Sequence, residues 1–177
     1  RAILYWCRKL GMDGIGEKLA EQLCSSGLVS SLADLYRLED REQELMGLER
    51  MAQKSVSNVL GELNSTRSMT FSTFISALGL PRIGPEIATL VCSEVRDLEE
   101  LIQMTEDREE AVRRMVSIDR VGETVATLLL DGISERKDAI IDLHEQIEII
   151  QGEQESSEGI LSGSTFCITG TLSRPRK

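Results

Sequence analysis

The stretch that decides the fold is Gly47-Leu48-Glu49-Arg50-Met51-Ala52-Gln53-Lys54-Ser55, because its short pattern occurs four times along the chain. In each copy a tight turn lies beside an apolar residue, a small residue follows, and the next helix has a polar first turn. The other copies lie at 13–18, 81–86 and 119–124. The small residues fall at 16, 52, 84 and 122, so the steps are 36, 32 and 38 residues. Such a period indicates one supersecondary unit used repeatedly.

The unit is typical of the helix-hairpin-helix, a motif that holds nucleic-acid backbones. In its full form two glycines flank an apolar residue, and the first glycine permits a turn with positive φ. The apolar residue anchors the hairpin in the core. The second glycine has no Cβ, so a phosphate can approach the free N–H groups at the start of the next helix, where the helix dipole favours an anion. We therefore predict a mainly α fold that contains four tandem helix-hairpin-helix repeats.

The candidate DNA-binding residues are the turn residues and the polar residues of the following first turn. They are Gly14, Gly16, Lys18, Arg50, Lys54, Ser55, Arg82, Gly84, Arg120, Gly122 and Thr124. Contacts of this kind go to phosphates and fix position without reading bases. The sequence therefore predicts binding to duplex DNA with little sequence preference.

The four copies are unequal at the glycine positions. Only the first copy has both glycines, Gly14 and Gly16, while arginine occupies the first-glycine position in the other three and Ala52 replaces the second glycine in copy two. Arginine is a poor residue for positive φ. Hairpins two to four are therefore expected either to turn differently or to be strained. Their arginines either reach toward DNA or are solvated loop charges.

The charge distribution sets a condition on this prediction. The chain of 177 residues has a net charge of −10, and the first 137 residues account for −6 of it. No Lys or Arg lies between Lys137 and Arg174, a gap that holds seven acids. Non-specific phosphate binding usually needs a basic surface. Either the basic residues cluster on one face, or backbone groups do most of the binding, or this segment binds weakly by itself.

Composition and cysteine spacing exclude several other classes of protein. Aromatic residues are 3% and hydrophobic residues 41% of the chain, so the core must be mainly aliphatic, which suits packed helices. The four cysteines are scattered without a CxxC pair, which predicts no zinc site, no disulfide framework and a reduced intracellular compartment. No apolar run is long enough for a membrane span. No catalytic or metal-binding residues are predicted.

The pattern changes near the end of the chain. Residues 138–150 are predicted as the last amphipathic helix, and residues 152–160 form an acidic linker by composition. Residues 164–169 have the pattern of a strand. We expect a domain at 1–151, this linker, and the start of a further domain at 161–177. The start at Arg1 and the stop at Lys177 are those expected of a piece of a longer protein.

Beyond the repeat itself, residues 12–19, 47–55 and 77–88 strongly resemble the helix-hairpin-helix domain of the bacterial-type NAD-dependent DNA ligases. Residues 161–176 resemble the first part of the BRCT domain that follows it in that family. This resemblance implies a truncated α/β BRCT start at the end of the chain. It also implies that Thr169 and Gly170 are candidates for holding a phosphate.

The resemblance implies a specific activity for the whole protein. The family seals nicks between a 5′-phosphate and a 3′-hydroxyl in DNA replication and repair, with NAD as adenylate donor, assisted by magnesium, and carries a four-cysteine zinc finger. None of that chemistry is expected in this segment, because the Lys-x-Asp-Gly signature is absent. The segment would hold nicked double-stranded DNA as a monomer, without a cofactor of its own. The expected location is the bacterial cytoplasm and nucleoid, or an organelle.

Two alternatives come from other classes of protein. The chain could be a non-enzymatic DNA-binding module of a repair nuclease or recombination factor, since these also use tandem hairpins. It could also be a structural helical domain that binds protein, for which the net charge of −10 is the best support.

Overall fold

A computed structural model describes residues 1–150 of the chain, and this region is mainly helical. The predicted linker at 152–160 and the predicted BRCT start at 161–177 lie outside the described residues, and the boundary at 151 stays a prediction. The α-helices are α1 (Ala2–Lys9), α2 (Glu17–Ser25), α3 (Leu32–Tyr36), α4 (Glu42–Met46), α5 (Gln53–Ser65), α6 (Phe71–Ala77), α7 (Pro85–Glu94), α8 (Leu98–Met104), α9 (Arg108–Val116), α10 (Glu123–Glu135) and α11 (Lys137–His144). A 3-10 helix (Leu38–Arg41) and two short strands, β1 (Ser68–Thr70) and β2 (Glu148–Ile150), complete the described elements.

One hydrophobic core joins residues from α1 through α11 and is mainly aliphatic, as the composition predicts. Three of its aromatic side chains meet at one point. Trp6 is fully buried and donates from Nε1 to the Tyr36 hydroxyl at 3.1 Å, and its ring meets the Phe74 ring edge-on with centroids 6.0 Å apart. Because these three residues lie on α1, α3 and α6, the contact holds together helices that are distant in sequence.

The end of the described region differs from the sequence prediction. The helix expected over 138–150 ends at His144, and Glu148–Ile150 form strand β2, which pairs in parallel with β1. The Arg67 guanidinium donates to the Gln146 carbonyl at 3.0 Å, and the Glu148 N–H donates to the Arg67 carbonyl at 2.7 Å. The helical prediction over 145–150 is wrong. The partners of this segment lie about eighty residues earlier in the chain, and the local periodicity of the sequence carries no information about them.

A second long-range link holds the same region in place. The Arg37 guanidinium, just after α3, pairs with the Asp142 carboxylate on α11, with Nη1 and Oδ2 3.1 Å apart. Both side chains are partly exposed, so the link orients the helices more than it stabilises them. None of the helices within residues 1–150 is long and apolar enough to cross a membrane.

Candidate nucleic-acid interface

Four helix pairs carry the repeated pattern, and each pair is joined by a short turn. The pairs are α1/α2, α4/α5, α6/α7 and α9/α10. We call their turns hairpins one to four, at 10–16, 47–52, 78–84 and 117–122. The apolar residues predicted to anchor them are Ile15, Met51, Ile83 and Val121, which are 2, 8, 2 and 2% exposed. The predicted anchoring is confirmed, since all four side chains lie in the core.

Hairpins two, three and four share one backbone geometry. In each, the anchor N–H donates to the carbonyl three residues earlier, with Met51 to Leu48, Ile83 to Leu80 and Val121 to Ile118 all at 3.1 Å. The residue before the anchor is an arginine with positive φ: Arg50 at 65°, Arg82 at 64° and Arg120 at 62°. A positive φ at the third turn position is the type II arrangement, in which glycine is usual.

The arginines are therefore strained. A non-glycine residue in this region costs on the order of 1 kcal/mol. The cost is borne because the buried anchor and the turn hydrogen bond on either side leave the backbone no alternative. Both outcomes that the sequence allowed for these hairpins are observed, since the arginines are strained and their turn differs from that of hairpin one.

The first hairpin, which has both glycines, has a different turn. Gly14 is not among the residues with positive φ, and among the described residues the Ile15 N–H makes no bond to the Met12 carbonyl. Instead the Gly14 N–H donates to the Glu62 carboxylate, at 2.8 Å to Oε2 and 3.1 Å to Oε1. The positive φ expected at the first glycine is thus wrong for Gly14. A Cβ atom at position 14 would lie 2.9 Å from Glu62 Oε2, so a larger residue there would displace this carboxylate.

The helices that follow the hairpins all begin without a side-chain cap. Their N-cap residues are Gly16, Ala52, Gly84 and Gly122, with φ between −77 and −87° and no cap hydrogen bond from a side chain. A Cβ atom at any of the three glycines would meet no protein atom within 4 Å. The fold therefore does not need glycine at these positions. The small residues leave the first-turn N–H groups open to the outside.

Four of the seven other α-helices within residues 1–150 begin with a side-chain cap. Helices α3, α6, α8 and α9 have the caps Ser31, Thr70, Asp97 and Asp107, and each cap oxygen accepts from the N–H three residues later. Such caps satisfy one of the free N–H groups at a helix start. Within residues 1–150, all four helices that follow a hairpin begin with a small residue and no side-chain cap; α1, α4 and α11 also lack a cap, but their N-cap residues are arginines.

The cations of the hairpins are less neutralised than those elsewhere. Among residues 1–150 no ion pair is recorded for Lys18, Lys54 or Arg82, all exposed. Arg50 pairs only with its neighbour Glu49, at 3.5 Å. By contrast, the arginines paired to carboxylates away from the hairpins are Arg37, Arg41, Arg67, Arg96, Arg108, Arg113 and Arg114. Each of the first three hairpins thus has a cation with no recorded ion pair in the described region, although the net charge is negative; Arg120 of the fourth pairs with Glu86 and Asp119, and outside the predicted set Arg1, Arg8, Lys9 and Arg136 also have no recorded ion pair there.

A cleft of about 770 Å³ lies between the first two hairpins and brings together four predicted residues, Gly14, Lys18, Arg50 and Ser55. It is bounded by α2 on one side and by hairpin two and α5 on the other. Lys54 is exposed beside it, and Thr124 is exposed at the start of α10. Thr169 and Gly170 lie outside the described residues.

Two polar residues that line the cleft were missed from the sequence. Gln22 and Asn58 lie on its walls. Their signal was available, because Gln22 follows Lys18 by four residues and Asn58 follows Ser55 by three, which places each pair on one helix face. Amide side chains there can donate hydrogen bonds to phosphate oxygens.

The thiols of Cys7 and Cys92 have no chemistry suited to catalysis. Burial raises the pKa of Cys7 to about 11 and that of Cys92 to about 12, so both stay protonated at neutral pH. A protonated, buried thiol is neither a nucleophile nor a ready metal ligand.

These turns, bare helix starts and flanking cations define a protein of the tandem helix-hairpin-helix class. Residues 10–65, which contain the first two hairpins, match the family model described as a SAM-like helix-hairpin-helix tandem. The more particular relationship comes from similar proteins. The chain is 31% identical over 174 residues to a DNA ligase of Coprothermobacter proteolyticus, covering 96% of the chain and 25% of the relative.

Two further relatives agree. A protein named DNA ligase 2 from Deinococcus deserti is 35% identical over 178 residues, and a DNA ligase of Rubrobacter xylanophilus is 34% identical over 181 residues. Each alignment covers 98% of the chain and 25% of the relative. The chain thus spans about a quarter of the length of these relatives. It is a homologue of one segment of the bacterial DNA ligases, a match consistent with their C-terminal part.

Proposed function

We propose that this chain is the part of an NAD-dependent DNA ligase that holds duplex DNA at a nick, and that all four hairpins are helix-hairpin-helix repeats that bind the sugar–phosphate backbone. The observation that carries the proposal is that every helix after a hairpin begins with a small residue and no side-chain cap. Gly16, Ala52, Gly84 and Gly122 leave the first-turn N–H groups without a side-chain partner, and a Cβ atom at any of the three glycines would meet no protein atom within 4 Å.

Hairpins three and four lie outside the matched family model but share the geometry of hairpin two. Arg82 and Arg120 have the φ of Arg50 within 3°, and the turn hydrogen bonds have the same length. A free helix start favours an anion through its N–H groups and its dipole. The same turn therefore supports the same ligand, a backbone phosphate, at each repeat.

The net charge of −10 is compatible with this function because binding depends on local groups. Backbone N–H donors carry no net charge, and Lys18, Lys54 and Arg82 add positive charge beside them. The remaining acids weaken long-range attraction, so we expect affinity to be moderate and association to be slow for a DNA-binding protein. The fragment would be a monomer and would sit on DNA in the bacterial nucleoid, or in an organelle.

The whole enzyme would seal nicks with a 5′-phosphate and a 3′-hydroxyl in replication and repair. We place the adenylation chemistry, with its NAD, magnesium and zinc, outside this chain because the Lys-x-Asp-Gly motif is absent from the sequence. Thr169 and Gly170 would offer a further phosphate contact if residues 161–177 begin a BRCT domain. This segment's own task is to position the duplex.

Fluorescence anisotropy with the 177-residue chain tests the proposal. Labelled nicked duplex, intact duplex of the same sequence, and nicked duplex of a second sequence are titrated at several salt concentrations. Neutralisation of one phosphate each by Lys18, Lys54 and Arg82 predicts a log–log salt slope near about −2.7, and so roughly 40-fold weaker binding at 200 mM than at 50 mM salt. The two sequences should bind within about twofold. Absence of binding at low salt would overturn the DNA-holding role.

A further inference from the structure

The first hairpin is bound to a helix of the second repeat through one carboxylate. Glu62, on α5, accepts the Gly14 N–H with both oxygens, at 2.8 and 3.1 Å. The two residues are 48 positions apart in the sequence. Gly14 also approaches this carboxylate so closely that a Cβ atom would lie 2.9 Å from Oε2. A larger residue at position 14 would therefore displace the carboxylate from its present position.

This contact replaces a bond that the other hairpins make within their own turns. In hairpins two to four the anchor N–H closes the turn on the carbonyl three residues earlier. The first hairpin has no such bond among the described residues. The Met12 N–H of this hairpin donates to the Cys7 carbonyl at 2.9 Å, and its Gly14 segment is held from outside, by a side chain of another repeat. The conformation of hairpin one therefore depends on where α5 lies.

Helix α5 begins directly after hairpin two, since Ala52 is its N-cap, and it continues unbroken to Ser65. A helix of this length is a stiff element, so the position of Glu62 is coupled to that of hairpin two. The cleft between the hairpins has Lys18 on one wall and Arg50 on the other. The Gly14–Glu62 contact thus sets the separation of these two cations and of the helix starts beside them.

We propose that Glu62 is a positioning residue, which couples hairpins one and two so that both can hold phosphates of the same DNA backbone across the cleft. The inference rests on the proposed DNA-binding function. It predicts a change in DNA affinity opposite to the one that charge alone would cause. Removal of an acid near a DNA-binding cleft should strengthen binding by simple electrostatics, whereas loss of this acid should weaken it.

Three substitutions in the 177-residue chain separate the two effects. Glu62→Ala removes the acceptor and should weaken duplex binding roughly threefold to tenfold. Glu62→Gln makes the same change in charge but keeps one acceptor oxygen, so it should bind within about twofold of the unaltered chain. Glu21→Ala removes a carboxylate that lines the same cleft and should strengthen binding slightly. All are measured by anisotropy at fixed salt.

A fourth variant distinguishes loss of the Gly14–Glu62 contact from unfolding of the chain. Gly14→Ala keeps every charge but displaces Glu62, so it should weaken binding like Glu62→Ala, and the double variant should be no weaker than either. If Glu62→Ala gives no cooperative thermal transition, Gly14→Ala decides the question. Binding by Glu62→Ala or Gly14→Ala that equals that of the unaltered chain overturns the positioning role.

The experiment gives a different result if the proposed DNA-binding function is wrong. In that case the unaltered chain binds no duplex, and the amide hydrogen exchange of Gly14 serves as the readout. Exchange at Gly14 should be faster in Glu62→Ala than in Glu62→Gln. Equal exchange in the two variants would show that the carboxylate does not hold hairpin one, independently of DNA.

Discussion

The guanidinium group of Arg120, in the turn of the fourth hairpin, forms an ion pair with the carboxylate of Glu86 in the first turn of α7. The pair links the third repeat to the fourth. Both side chains are about two-thirds exposed, so the pair contributes little to stability and its partners can exchange. A DNA phosphate at the start of α7 or at hairpin four would compete with Glu86 for Arg120.

We therefore expect Glu86→Gln to strengthen duplex binding about twofold to threefold, because it releases Arg120 and removes a negative charge near the proposed phosphate site. Anisotropy titration at low salt is the measurement. Glu109→Gln is the matched control, since Glu109 is also the second residue of its helix and has no recorded ion pair within residues 1–150. Equal affinity for both variants would mean that Arg120 has no part in binding.

Arg82 offers the cleanest test of whether the strained arginines serve DNA. Arg82→Gly should raise the free energy of unfolding by about 1 kcal/mol, because glycine adopts φ of 64° without strain. The same variant should bind duplex more weakly. Urea unfolding and anisotropy give the two values. Arg82→Lys is the control, since it keeps both charge and strain. If Arg82→Gly is more stable and its affinity for duplex is unchanged, the Arg82 side chain is a solvated charge that does not contact DNA.

Open space at Gly16 predicts a variant that folds but binds poorly. Gly16→Leu fits the N-cap φ of −77° and meets no protein atom, so its stability should fall by less than about 1 kcal/mol. Its side chain would block a phosphate, and affinity should fall roughly tenfold. Gly61→Leu places the same side chain in open space on α5 and should leave affinity unchanged. If both variants bind equally, the first helix start does not hold a phosphate.

The capping box of α3 predicts a pH dependence of stability. Burial of the Asp34 carboxylate opposes ionisation, but hydrogen bonds from Ser30 and Ser31 outweigh it and lower the Asp34 pKa well below its ordinary 3.8. Because the folded-state pKa is the lower one, the carboxylate stabilises the fold above pH 3.8, and this contribution is lost as the pH falls below that value.

Asp34→Asn should therefore lower the free energy of unfolding by about 1 kcal/mol at pH 7 and by less at pH 3. Urea unfolding at several pH values measures the difference between the variant and the unaltered chain. Asp97, whose pKa is also lowered by the α8 N–H of Glu100, titrates in both proteins and cancels in this comparison. A difference that stays constant with pH would contradict the assignment.

The repeated features of the fold were accessible from the sequence because their causes are local. Four turns recur at a near-constant period, and their anchor residues, Ile15, Met51, Ile83 and Val121, are buried as predicted. An apolar residue between two short polar turns has no other favourable place than the core. The helix starts at 17, 53 and 123 were likewise predicted, since a small N-cap and a polar first turn mark them.

The sequence-based prediction went wrong where partners come from distant parts of the chain. The β-branched residues near Ile149 have a helix-compatible pattern locally, yet they pair with β1 about eighty positions earlier. Gly14 was expected to make the turn with positive φ, but the carboxylate of Glu62 holds it otherwise. Neither contact changes the pattern of apolar and polar residues next to it in the sequence, so neither could be predicted from that pattern.

By itself, the sequence determined a helical protein with four repeated turns and a resemblance to the DNA-holding part of a ligase. Period, anchor burial and small N-cap residues follow from short-range chemistry. The tertiary structure alone decided that Arg50, Arg82 and Arg120 accept a left-handed backbone, because buried anchors and turn hydrogen bonds leave no other geometry. It also decided that the first hairpin is shaped by Glu62, since only folding brings α5 within hydrogen-bond distance of Gly14.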